Sequence, residues 1–230
     1  SVAQGTFVPS NYIHKEGYDP DQENPNDYFP TPMLLCRNAI KDLFPDTVLR
    51  RNWRVLDAGA GFTGNWGRAL RSQRPNMDLV GVDLPAVLPP VVDSPYNTWI
   101  QKDYRDLTIE DVDGRLFDMV IGNPPYSTSM GKRDMHLAEK FVEKSFELLK
   151  PEGQLYFFLR LDFLAGGFRQ SDFWPLYNPD VVHICAERVN FFPERGTGQT
   201  HNHCIIEWTK RDADSQFVDP RIHFWSWRHE

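Results

Sequence analysis

Four consecutive residues, Asn123, Pro124, Pro125 and Tyr126, follow directly on an apolar run. Two prolines fix the backbone, so the Asn123 amide oxygen and the Pro124 carbonyl can converge on one small target. Two acceptors aimed at an NH2 group hold its hydrogens and turn its lone pair outward. Tyr126 adds a flat face on which a ring can stack. A plain rigid loop after a strand could use the same residues, but amide, prolines and ring together favour the chemical reading. A second constellation lies upstream. The turn over 57–64 places Asp57, Gly59, Gly61 and Gly64 close together, and glycines there let backbone approach a ligand where side chains would clash. Such turns serve many nucleotides and also ordinary tight turns. This one lacks the GxGxxG spacing of dinucleotide folds and the GK[ST] of a phosphate loop. Asp83 ends the next apolar run, where an acid can accept from ribose hydroxyls.

Elements must bring these residues together. Apolar residues at helical spacing begin after Thr31, a cap, with Pro32 in the first turn. Short apolar runs then alternate with turns and helix-like stretches. Strands are expected at 55–56, 79–82, 99–101, 117–121, 154–159, 181–185 and 204–208, and helices at 66–74 and 135–149. A turn at 150–153 precedes the fifth strand. This alternation implies a parallel sheet covered on both faces, whose ligands sit at the carboxyl ends of the strands. Asp57, Asp83, Asp103 and Asn123 each stand just after an expected strand. Four polar residues on one rim make a site.

The 230 residues are 40% hydrophobic and 25% charged. That suits a globular core and excludes a disordered tail, a collagen repeat or a disulfide scaffold. No run of eighteen apolar residues offers a membrane span, and residues 1–17 show no secretory signal. An intracellular, cytoplasmic setting is expected, with Cys36, Cys185 and Cys204 as free thiols. A net charge of −7 argues against a broadly basic nucleic-acid coat but permits a basic cleft. Residues 1–27, polar and rich in Asp, Asn and Pro, read as an extended arm. Residues 28–230 read as a single domain.

In this order, Asp57-x-Gly59-x-Gly61, Asp83, Asp103 and the Asn-Pro-Pro-Tyr segment resemble the class I S-adenosylmethionine-dependent methyltransferases of the amino-methylating branch. More narrowly, the chain resembles the short N6-adenine DNA methyltransferases of phages and prophages. The stretches 28–32, 160–164 and 187–192 also match, and the resemblance covers about residues 27–208. Thr63 stands where a third glycine is often found, with Gly64 one place later. The resemblance implies a Rossmann-like α/β fold with a seven-stranded, mostly parallel sheet and helices on both faces. It places Thr31 and Pro32 at the methionine end of the cofactor beside the turn with Asp57, Gly59 and Gly61. It gives Asp83 the ribose, with Leu84 beside the adenine ring, and Asp103 the cofactor's adenine amine, with Tyr104 adjacent. Asn123, Pro124, Pro125 and Tyr126 hold the target adenine, and Asn123 also borders the cofactor. A base inside a duplex must be flipped out, or already be single-stranded, to reach such a pocket.

Other features admit plainer readings beside functional ones. Phe191 and Phe192 could close a stacking sandwich on the target or simply pack in the core. Lys132 and Arg133 follow the Asn-Pro-Pro-Tyr segment and could touch phosphates or belong to a solvated loop. Arg169, Arg188 and Arg195 could add to a basic rim. His183, Cys185, His201, His203 and Cys204 match no zinc spacing, so no metal is expected. His201-Asn202-His203 carries nothing else of a nuclease motif. The tail 224–227 reads as a covering edge strand. Little chain remains for a separate target-recognition domain, the largest insert being 165–179, so recognition is expected to be short, relaxed or supplied by a partner chain. The expected partner is nucleic acid, DNA ahead of RNA. Rival substrates are RNA adenine and the glutamine amide of release factors, although the enzymes acting on the latter carry an N-terminal helical domain not seen here. A further rival is a non-catalytic subunit that keeps the fold.

Overall fold

The computed structural model describes residues 29–44, 52–87, 89–90, 93–126, 128–129, 132–191, 201–212 and 218–230. The N-terminal arm, Phe192 and Arg195 lie outside them. Eight strands form the main sheet: β1 Arg54–Ala58, β2 Asp78–Asp83, β3 Thr98–Gln101, β4 Phe117–Gly122, β7 Leu149–Arg160, β8 Val181–Cys185, β9 His203–Thr209 and β10 Arg221–Trp225. Their order is β10-β8-β9-β7-β4-β1-β2-β3. β9 runs antiparallel to both neighbours, and every other pairing is parallel. A separate small hairpin, β5 Thr128–Ser129 and β6 Lys132–Arg133, follows the Asn-Pro-Pro-Tyr segment.

Near-continuous apolar strands require cover on both faces. One face packs against α3 (Leu137–Leu148) through Leu137, Phe141 and Val142. The other packs against α1 (Met33–Leu43) and α2 (Asn65–Gln73) through Leu35, Ile40, Trp66 and Leu70. This is the expected Rossmann-like arrangement with one more strand than expected. The added strand is β10 at the sheet edge, in the tail read as a covering strand. Trp225 at its end and Trp227 beyond it are buried against α1. The Trp225 indole donates to Asp42, and Asn38 donates to the carbonyl of Trp227. Among the described residues no helix is long and apolar enough to cross a membrane.

Local differences have physical causes. The N-cap of α1 is Pro32 rather than Thr31, without a side-chain cap bond: the first intrahelical bond runs from the Cys36 N–H to the Pro32 carbonyl, and the Thr31 carbonyl accepts from Asn65 at the start of α2. The turn at 150–153 lies within β7 as a bulge: the pairing with β4 jumps from Leu149 to Gln154. Backbone bonds between 152–153 and Lys210 hold it in place. Gly122 ends β4 at φ 154, and a β-carbon there would lie 2.4 Å from the Ala58 carbonyl oxygen. Gly122→Ala is therefore expected to split the β1–β4 pairing. Overpacking against backbone should cost about 3 kcal/mol, which a thermal melt would read as a fall of about 6–12 °C.

Candidate functional site

The carboxyl ends of β1, β2 and β4 meet on one rim because Ala58 pairs with both Val82 and Gly122. The turn after β1 folds over the end of β2: the N–H groups of Gly59 and Ala60 both donate to the Val82 carbonyl. Gly61 has φ +68, a conformation other residues rarely adopt. Its N–H donates to Asp83 at 2.7 Å, and the Leu84 N–H donates to the other Asp83 oxygen at 2.7 Å. Burial pushes the Asp83 carboxyl up to about 6 against those two bonds.

Asp57 is buried at 2% exposure. The Tyr96 hydroxyl donates to its Oδ2 at 2.6 Å, whereas its Oδ1 is buried without a hydrogen bond. Burial pushes its pKa up to about 7. Tyr96 and the nearby Gly67 N–H pull it down, and the Asp83 charge pushes it further up. A buried carboxylate oxygen without a partner calls for a cation or a donor. Thr31 is buried, and its carbonyl is tied to the start of α2 beside this turn.

At the neighbouring strand end, the Asn123 Nδ2 donates to the Phe29 carbonyl at 2.9 Å. That contact fixes the amide and leaves Oδ1 as the free acceptor. Pro124 is buried. Tyr126 packs against the core, with the Arg160 guanidinium 5.7 Å from its ring centroid. Phe191 is buried against Phe29, Phe158 and His203, so it forms the wall behind the residue that holds Asn123. Lys132 and Arg133 are exposed on β6.

Two cofactor candidates are differently placed. The Asp103 carboxylate is gripped by Arg105 through Nε, an outer nitrogen and the backbone N–H, which holds it below the usual carboxylate range. Arg105 reaches on to Asp134, which also pairs with Lys140. Tyr104 faces inward, stacked on Phe141, with its hydroxyl paired to Ser145.

The sequence assigned no role to Tyr96, Arg160 or His203. Arg160 and His203 oppose one another where β7 ends and β9 begins, on the Tyr126 side of the rim. Burial pushes the His203 imidazole down to about 4, so it stays neutral. Their position at strand termini was a usable signal; nothing local marked Tyr96. Arg169 pairs with buried Glu139 and is not part of an open basic rim, while Arg188 is exposed. His183 bonds Glu207 and His223. Cys36, Cys185 and Cys204 are buried free thiols. Among the described residues no group of three or more His, Cys, Asp or Glu could hold a metal. The insert at 165–179 folds onto the start of α3, where Phe168 contacts His136 and Phe173 enters the core.

Residues 41–162 match the family described as Methyltransferase small domain. A release factor glutamine methyltransferase from Koribacter versatilis (strain Ellin345) is 28% identical over 63% of this chain. The chain spans 60% of that relative's length. The methyltransferase subunit of a type I restriction-modification system from Streptococcus thermophilus superposes with a TM-score of 0.56 at 19% identity, over 80% of this chain and 45% of that one. A Listeria monocytogenes protein assigned to the class I S-adenosylmethionine-dependent methyltransferases superposes with a TM-score of 0.55 at 15% identity, over 83% of this chain and 62% of that one. At these identities the two structures share the fold.

Proposed function

The chain belongs to the methyltransferase small domain family, and on that premise we propose that it methylates the N6 amine of adenine in DNA. S-adenosylmethionine, the cofactor of this family, supplies when bound a methyl group carried on a sulfonium. The rim fits such a group. Asp57 Oδ1 is a buried acceptor without a hydrogen bond, suited to a cationic amino-acid end. The turn through Gly59 and Gly61 offers close backbone approach, and Thr31 and Pro32 stand beside it. Asp83 and Leu84 lie where ribose and base would follow. Asp103 would have to share its carboxylate between Arg105 and the cofactor's amine.

The observation that carries the proposal is the Asn123 amide held by Phe29. With Nδ2 spent on that carbonyl, Oδ1 and the Pro124 carbonyl accept the two hydrogens of the target amine. The nitrogen lone pair is left facing the methyl group. Positive charge grows on that nitrogen as it attacks, and two fixed acceptors stabilise the charge without reorganising. No strong general base is needed for this step. Pro125 stiffens the segment, and Tyr126 supplies the face for a flipped base. Lys132 and Arg133 stand exposed where backbone phosphates would pass, and Phe191 backs the pocket. Phe192 remains a candidate for its second face. A partner chain would extend recognition beyond this small rim.

A second reading has one specific observation in its favour, the 28% identity to a glutamine methyltransferase. The same two acceptors suit a carboxamide NH2. Tritiated methyl transfer from S-adenosylmethionine, offered in parallel to unmodified DNA, total RNA and a release-factor protein, separates the readings. Label in DNA that digests to N6-methyladenine is the expected result. Label in protein alone would replace the proposal with the second reading, and label in RNA alone would change the polymer.

A further inference from the structure

We propose that Tyr96 is a positioning residue for cofactor binding: its hydroxyl occupies one oxygen of Asp57 so that the other is presented to the cationic amino-acid end of S-adenosylmethionine. The inference rests on the assignment of Asp57 to that end of the cofactor.

The geometry is specific. Tyr96 lies in the connection between β2 and β3, 39 positions from Asp57, yet its hydroxyl reaches Asp57 Oδ2 at 2.6 Å. The ring passes through a slot that three glycines keep open. A β-carbon on Gly67 would stand 2.7 Å from the ring, and one on Gly64 or Gly81 would stand 3.0 Å from it. Gly64 closes the turn after β1, Gly67 lies in the first turn of α2 and Gly81 lies within β2. A side chain at Gly67 would push the ring off the carboxylate, whereas one at Gly64 would meet Pro90 first, at 2.9 Å, and one at Gly81 would meet Trp99 first, at 2.7 Å. Trp99 packs against the ring, with centroids 5.4 Å apart.

The groups acting on Asp57 come from every element around it: the Tyr96 hydroxyl, the Asp83 carboxylate at the end of β2, the Gly67 N–H of α2 and the Cys36 thiol of α1. None of these is a cation. Asp83 disfavours the charge on Asp57, and the Tyr96 hydroxyl and Gly67 N–H favour it. The Tyr96 bond thus does two things. It selects which oxygen is free, and it helps keep that oxygen anionic near neutral pH. A phenylalanine in the same slot would fill the same space and do neither.

The test compares two ligands by calorimetry on the full chain. S-adenosylhomocysteine carries the amino-acid end, and 5′-methylthioadenosine lacks it. Tyr96→Phe is expected to weaken S-adenosylhomocysteine roughly tenfold at pH 7, with the loss shrinking at higher pH as Asp57 ionises without help. Its affinity for 5′-methylthioadenosine should stay within about twofold. Equal losses for both ligands, or no loss for either, would overturn the inference. Asp57→Asn keeps the premise separate. If it leaves both ligands unaffected, Asp57 does not serve the amino-acid end. If it weakens S-adenosylhomocysteine selectively while Tyr96→Phe does not, only the role of Tyr96 fails.

Discussion

Asn123→Ala is expected to slow methyl transfer by roughly 10²–10⁴-fold while S-adenosylhomocysteine affinity stays within about threefold. The magnitude follows from removing a preorganised acceptor where charge develops, which alone costs about 10²–10³ in rate, and from losing the grip on the amine's orientation. Cofactor affinity is spared because the Asn123 amide only borders that side of the rim. The bond from the Asn123 amide to the Phe29 carbonyl is lost as well, so a small fall in thermal stability should accompany the loss. Asn123→Asp is the informative companion. It keeps an acceptor facing the target but removes the donor to Phe29, leaving a carboxylate beside a carbonyl. An intermediate rate, roughly 10–100-fold down, is expected from acceptor chemistry with a displaced side chain. Single-turnover assays with saturating cofactor measure both. A rate near that of the unsubstituted protein in Asn123→Ala would mean that the Pro124 carbonyl and stacking suffice, and the proposed role of Asn123 would fail.

The rim was legible in the sequence because each of its acids and its amide follows an apolar run. Strand ends are where apolar periodicity stops, and Asp57, Asp83 and Asn123 each mark such a stop. Alternating strands and helices made a mostly parallel sheet legible and permit few topologies, but they did not state the strand order. What the sequence hid are contacts between distant positions. The Phe29 carbonyl lies 94 positions from the Asn123 amide it orients. Gly67 and Gly81 read locally as weak points in a helix and a strand, and only the folded chain shows that they clear a slot for Tyr96. The extra strand was half legible: the aromatic tail announced a covering edge, but periodicity cannot state which strand it joins. Arg105 is a different case. Its capture of Asp103 is a contact between residues two apart, readable as neighbouring opposite charges, and it makes the adenine end of the rim a contested acceptor.

Asp57→Asn should separate stability from function at this rim. In the folded protein Asp57 titrates near 7 against an ordinary 3.8, chiefly through burial. An acid whose folded pKa is raised binds its proton more tightly in the folded state. Stability is then highest at low pH and falls as pH climbs from about 4 through about 7. The full effect is bounded by about 4 kcal/mol, and relaxation around the carboxylate brings it to about 2 kcal/mol. Asparagine is isosteric, cannot ionise, and still accepts from the Tyr96 hydroxyl. The cofactor-free variant is therefore expected to melt about 4–8 °C above the unsubstituted protein at pH 8, and by less than half as much at pH 5, where the folded carboxyl is protonated but the unfolded one is already largely ionised. The same change should weaken S-adenosylhomocysteine by roughly 100-fold at pH 8, because a charge-assisted contact to its ammonium is replaced by a neutral one. Melting curves at the two pH values, with and without ligand, read both effects in one experiment. A variant that melts lower at pH 8, or that binds as tightly as before, would show that the buried oxygen is neither strained by its charge nor reserved for a cation. The opposite pair, a more stable protein that has lost its cofactor, is what a carboxylate kept at a stability cost for the sake of binding must give.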